Sequence, residues 1–135
     1  MKHKEINLYI DLVSRIAKMS HAKRLQVGAV IAKPGGILLA YGYNGMPSGM
    51  DNTCETSNVT NPEVIHAEAN AILKCAREGR STEGAWLFLT HSPCIECAKM
   101  ILQSGITSLV YITKYKDESG INLLKRHNVA VHEII

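Results

Sequence analysis

Four side chains between Ile65 and Cys97 have the types and spacing for metal chemistry: His66, Glu68, Cys94 and Cys97. One imidazole and two thiolates suit zinc and leave a fourth tetrahedral position open for water. Zn²⁺ with two thiolates is formally neutral, so bound water can lose a proton at little cost. Glu68, two residues past the histidine, is placed to reach that water without binding the metal. The pattern is that of a catalytic site. Two other readings of these residues stand beside it. Cys94-Ile95-Glu96-Cys97 alone fits a redox pair, although an upstream histidine partner speaks against that. It also fits half of a structural zinc site, whose fourth ligand would come from Cys54, Cys75 or His91. A purely structural site, however, has no use for a carboxylate beside an open position.

The elements that must position these residues follow from periodicity. Ile6, Tyr9, Ile10, Val13, Ile16 and Ala17 predict a helix over 5–19. A polar, basic loop, Ser20 to Arg24, follows. Val27–Ala32 and Ile37–Tyr43 read as a hairpin turned by Pro34-Gly35-Gly36. Residues 50–61 are polar and predict a loop over or beside the pocket. Asn61-Pro62-Glu63 reads as a helix start, Asn61 as cap and Pro62 at the first helical position. That places His66 and Glu68 in the early turns of a helix closed by Gly79. Cys75 is expected to be a small buried side chain there. Ala85–Thr90 reads as a central strand, and Cys94 and Cys97 open a helix ending at Ser104-Gly105. A strand over 108–113, a helix over 118–127 stopped by Asn128, and a last strand over 129–135 complete the chain. Strands alternating with helices after one hairpin imply a three-layer α/β/α sandwich around a five-stranded mixed sheet.

The chain has 135 residues, 46% hydrophobic and 20% charged, with net charge +3 from 15 basic and 12 acidic residues. This fits one soluble domain over 1–135, burying about two-thirds of its unfolded surface. No apolar run approaches the roughly 18 residues of a membrane span. The cysteines are too few for a disulfide framework, which points to a reducing, cytoplasmic setting. A charge of +3 suits a phosphorylated small substrate and does not argue for nucleic acid.

Four segments carry a family resemblance that covers nearly the whole chain. They are Gln26-Val27-Gly28-Ala29-Val30-Ile31, Gly42-Tyr43-Asn44-Gly45-Met46-Pro47, His66-Ala67-Glu68-Ala69-Asn70-Ala71-Ile72, and Ser92-Pro93-Cys94-Ile95-Glu96-Cys97-Ala98-Lys99. A histidine, a glutamate at the second residue on, then P-C-x-x-C marks zinc nucleobase deaminases. The chain resembles the zinc-dependent cytidine deaminase superfamily and, within it, the deoxycytidylate (dCMP) deaminases. The first and third segments also resemble tRNA adenosine deaminases. The Gly-Tyr-Asn-Gly loop and the Asn-Ala-Ile continuation favour the dCMP branch. The segment between Gly49 and His66 is short for that branch.

The resemblance implies a cytidine deaminase-like fold and hydrolysis of dCMP to dUMP and ammonia. Its alternative is deamination of free cytidine, cytosine or tRNA bases. It implies zinc on His66, Cys94 and Cys97, with Glu68 moving the protons. The Ala67 N–H would hold the base carbonyl, Asn44 the sugar hydroxyl, and a backbone carbonyl near Ser92 the departing amine. Arg24 and the Lys114-Tyr115 pair are the expected phosphate contacts. His21, His91, His127 and His132 are read as bystanders. Relatives of this kind are hexamers, activated by dCTP with Mg²⁺ and inhibited by dTTP. The loop Gly42, Tyr43, Asn44 and Gly45 would lie near that effector.

Overall fold

The structure, a computed structural model, describes residues 1–134. Helix α1 (His3–Ala17) is followed by strands β1 (Gly28–Lys33) and β2 (Ile37–Tyr43). A small hairpin, β3 (Glu55–Thr56) and β4 (Val59–Thr60), precedes helix α2 (Ala67–Arg77). Strand β5 (Trp86–His91), helix α3 (Ile95–Gln103), strand β6 (Ser108–Thr113), helix α4 (Ser119–Arg126) and strand β7 (Ala130–Glu133) follow. The last strand was expected to reach Ile135, which lies outside the described residues.

The main sheet has the order β2-β1-β5-β6-β7, with β5 at its centre. β1 runs antiparallel to β2 and β5, while β5, β6 and β7 are parallel. Both faces are covered, which is why its central strands read as apolar runs rather than alternating ones. Val30, Ala32, Phe88 and Val110 pack against Tyr9, Val13 and Ile16 of α1. Their neighbours Ala29, Ile31, Leu87, Leu89, Leu109 and Tyr111 pack against α2, α3 and α4. The result is the expected three-layer sandwich around a five-stranded mixed sheet.

Two expectations need correction. Residues 50–61 contain the β3–β4 hairpin, turned by Ser57 and Asn58 with φ of 52° and 64°. Pro62 does not begin a helix. Asn61 is committed to the hairpin instead, its Oδ1 accepting from Thr56 and its Nδ2 donating to the Thr53 carbonyl. Ile65 then pairs with Gly45 through two backbone bonds of 2.8 and 3.1 Å, which keeps the chain extended. α2 therefore starts only at Ala67, with His66 as its N-cap in an extended conformation.

The far end of α2 follows the sequence signal. Gly79 has φ 68°, and the Arg80 N–H reaches back to the Cys75 carbonyl at 2.9 Å, which closes the helix with a left-handed residue. Gly42 is needed for a different reason. A Cβ there would lie 2.7 Å from the Ala67 carbonyl oxygen and 2.8 Å from the Ala71 nitrogen. Its absence lets β2 seat the site-bearing helix directly on the sheet.

Candidate active site

The site forms beyond the carboxyl end of β5, where α2 and α3 both begin. In α/β sheets this is the usual place for ligands. His66 and Cys94 are the N-caps of α2 and α3, and Cys97 lies in the first turn of α3. His66 Nδ1 is 3.7 Å from Cys94 Sγ and 3.3 Å from Cys97 Sγ. The three ligand atoms all fall within 4.8 Å of one another. Zinc bonds of about 2.0–2.1 Å to nitrogen and about 2.3 Å to sulfur, at a tetrahedral angle, separate N from S by roughly 3.5 Å. The observed distances straddle that value, so these residues fit zinc. Cys54, Cys75 and His91 lie outside this cluster, and among the described residues no fourth Cys or His completes a closed structural site.

The electrostatics match a cation. Hydrogen bonds from Cys97 and His66 hold Cys94 down to about 4, while donation to Cys94 and burial push Cys97 up. The pair gives up its first proton easily and its second reluctantly, as coupled sites do. A divalent ion between them removes that reluctance. The hydrogen bond with Cys94 also raises His66 above an ordinary histidine. Glu68 is only 4% exposed. Burial pushes its carboxyl up, opposed by its own backbone N–H and by His66.

These groups border a cavity of about 370 Å³. His66, Ala67, Glu68, Ser92, Cys94, Asn44, Arg24 and Tyr115 all line it, so most residues that the sequence singled out converge on one space. Cys97 is buried behind the wall. Asn44 enters with its amide partly committed: Oδ1 accepts from the Val27 N–H and Nδ2 donates to the Leu25 carbonyl, both at 2.8 Å. One lone pair and one hydrogen remain for a ligand. Tyr115 is tied to the rim by its N–H, which donates to Ser92 Oγ at 2.7 Å.

Of the remaining loop residues, Tyr43 and Gly45 face a second cavity of about 200 Å³, shared with His21, Asn70 and Lys74. Gly42 borders neither cavity. Cys54 is buried and lines both.

Four further residues line the cavity: Glu55 and Thr60, which the sequence did not single out, His91, which was read as a bystander, and Cys54, which was considered only as a structural metal ligand. His91 had a usable signal, since it ends the central strand one residue before Ser92-Pro93-Cys94. Its Nδ1 lies 3.0 Å from Thr90 Oγ1, which already accepts from the Gly28 N–H. The hydroxyl hydrogen is best satisfied by donation to Nδ1, which leaves Nε2 carrying the ring proton. Burial lowers the His91 pKa and favours that neutral form.

Residues 3–113 match the family described as the cytidine and deoxycytidylate deaminase zinc-binding region, and the chain belongs to that family. Over 124 residues it is 41% identical to ComE operon protein 2 of Bacillus subtilis, covering 88% of this chain and 65% of that one. It is 36% identical to the deoxycytidylate deaminase of Enterobacteria phage T4, covering 82% of this chain and 79% of that enzyme. The dCMP deaminase of cyanophage S-TIM5, crystallised with dCMP and dUMP, superimposes with a TM-score of 0.95 at 40% identity. That match covers 99% of both chains. The chain thus has the cytidine deaminase-like fold. Among the described residues, no helix is long and apolar enough to cross a membrane.

Proposed function

We infer that the protein hydrolyses the exocyclic amine of dCMP, giving dUMP and ammonia. What supports this most directly is the end-to-end likeness to a dCMP deaminase crystallised with dCMP and dUMP. The chain places His66, Cys94 and a buried glutamate on one cavity wall, with the third ligand, Cys97, buried behind it.

His66, Cys94 and Cys97 would hold zinc. Bound there, zinc supplies the Lewis acidity that makes a water molecule nucleophilic near neutral pH. Glu68 would take a proton from the attacking water and deliver it to ring N3, then take the proton of the new C4 hydroxyl and give it to the departing amine. A carboxyl raised by burial suits a group that must both take and give protons. Water adds at C4 and ammonia leaves. The Ala67 N–H, in the first turn of α2, holds the base carbonyl, and the backbone carbonyl of Ser92 receives the amine. Asn44 contacts the sugar hydroxyl with its free hydrogen and lone pair. Arg24 and Tyr115, on loops at the cavity, take the phosphate.

Regulation fits the same layout. The segment Gly42 to Gly45, the end of β2 and the turn after it, touches both cavities, Asn44 the first and its two neighbours the second. Lys74 lines the second cavity and offers a cation for a triphosphate. We assign dCTP with Mg²⁺ as activator and dTTP as inhibitor to that region, acting in a cytoplasmic homohexamer with no nucleic-acid partner. Effector control requires unequal binding to two conformations, with typical coupling of about 1–3 kcal/mol. dCMP kinetics should be sigmoidal, becoming hyperbolic with dCTP and suppressed by dTTP.

The deciding experiment is ammonia release from dCMP, deoxycytidine, CMP and cytosine by the zinc-loaded protein. Turnover of dCMP well above the rest supports the reading. Preference for deoxycytidine or cytosine places the enzyme among the free nucleoside or base deaminases. Release of ammonia from none of the four overturns it.

A further inference from the structure

The hairpin β3–β4 stands apart from the main sheet, and one of its rungs makes two grips on one residue. Glu55 and Thr60 face each other across the ladder. Glu55 Oε2 accepts from the backbone N–H groups of Lys23 and Arg24, at 3.0 and 3.2 Å. Thr60 Oγ1 accepts from the Arg24 guanidinium at 3.3 Å. The rung therefore holds both the main chain and the side chain of Arg24, and all three residues line the first cavity.

A loop arginine samples many rotamers, and ordering it against a ligand costs affinity. Tethering at one N–H removes part of that cost and leaves the other donors free for an anion. Glu55 does not neutralise the guanidinium. It bonds to backbone amides, and neither ion pair among the described residues involves Arg24. The charge is held in place yet left available.

We propose that the Glu55–Thr60 rung is a positioning device for Arg24 and sets the preference of the site for a nucleoside monophosphate over the nucleoside. The inference rests on the assignment of Arg24 to the substrate phosphate. Glu55 and Thr60 act through Arg24 and need not touch the substrate.

The test compares Thr60→Val, Thr60→Ser and Glu55→Ala in zinc-loaded enzyme, with dCMP and deoxycytidine as substrates. Valine removes the hydroxyl at nearly constant shape, and serine restores it. Loss of one hydrogen bond should raise KM for dCMP roughly two- to tenfold in Thr60→Val, with a smaller effect on kcat and on deoxycytidine. Thr60→Ser should recover the parent KM. Glu55→Ala should act in the same direction and speed hydrogen exchange at the Lys23 and Arg24 amides. Equal losses on both substrates, no change in KM, or a Thr60→Ser variant as impaired as Thr60→Val would overturn the proposal. A parent enzyme that turns over dCMP without preferring it to deoxycytidine removes the Arg24 assignment and this proposal together. A parent that turns over neither substrate defeats the deaminase reading instead.

Discussion

His66 Nδ1 and Cys97 Sγ lie 3.3 Å apart, joining the N-cap of α2 to the first turn of α3. Two helix starts with their positive dipole ends meet here, so the thiolates are favoured on both counts and the cation must offset the rest. We expect metal analysis to give one zinc per chain and Cys97→Ala to lose it. At a free metal concentration a hundred times Kd, binding stabilises the fold by about 2.7 kcal/mol. For a chain of this size a strong chelator should therefore lower Tm by roughly 10 °C. Two tightly held zincs per chain would contradict the single-site assignment.

Glu68→Gln should keep the zinc and the fold while removing turnover. General acid–base catalysis contributes about 10²–10⁴-fold, and in the proposed mechanism this carboxyl moves protons more than once. The loss in kcat should reach or pass the top of that range. Retention of a tenth of parental kcat in a zinc-replete variant would strip Glu68 of its role.

The legible part of this molecule was the part written in short-range patterns. The strands β1, β2, β5 and β6, and the convergence of His66, Glu68, Cys94 and Cys97, follow from apolar periodicity and ligand chemistry. The β3–β4 hairpin did not, because its few residues have no apolar face and depend on Asn61 reaching back to Thr53 and Thr56. The same commitment hid the true start of α2. Asn61-Pro62 has the local signature of a helix start, but the Gly45–Ile65 pairing, twenty residues apart in sequence, overrides it. Glu55 and Thr60 were invisible as pocket residues for the same reason, since their neighbours are set by tertiary placement of that hairpin.

Glu5 gives the fold a pH-dependent contact. Its Oε1 accepts from the Gly35 and Gly36 N–H groups at 2.9 and 2.8 Å, fastening α1 to the β1–β2 turn. The bond from Gly36 leads in holding the carboxyl below its ordinary value of 4.5. A carboxylate with a depressed folded pKa contributes stability above its unfolded value and loses it as pH falls through the folded one. Glu5→Gln should thus have a lower Tm than the parent at neutral pH, with the gap closing below 4.5. A constant gap across that range would show that charge is not what the turn amides read.

Gly42, in β2, and Gly45, just after it, allow packing to be tested apart from the proposed regulation. A Cβ at Gly42 would press on backbone atoms of Ala67 and Ala71, which no side-chain rotation relieves. Gly42→Ala must therefore push α2 off the sheet, at an overpacking cost of about 1–3 kcal/mol. Because α2 carries His66 and Glu68, zinc affinity and kcat should fall together with Tm. Gly45 has nothing within 4 Å of its would-be Cβ and lines the second cavity. Gly45→Ala should hold its Tm close to the parent while shifting the dCTP concentration needed for activation. The comparison needs only melting curves and dCMP saturation curves with and without dCTP. If Gly45→Ala leaves the dCTP response untouched in a zinc-loaded oligomer, the effector does not read this loop. If Gly42→Ala melts like the parent, the close approach of β2 to α2 is not what seats the helix that carries His66 and Glu68.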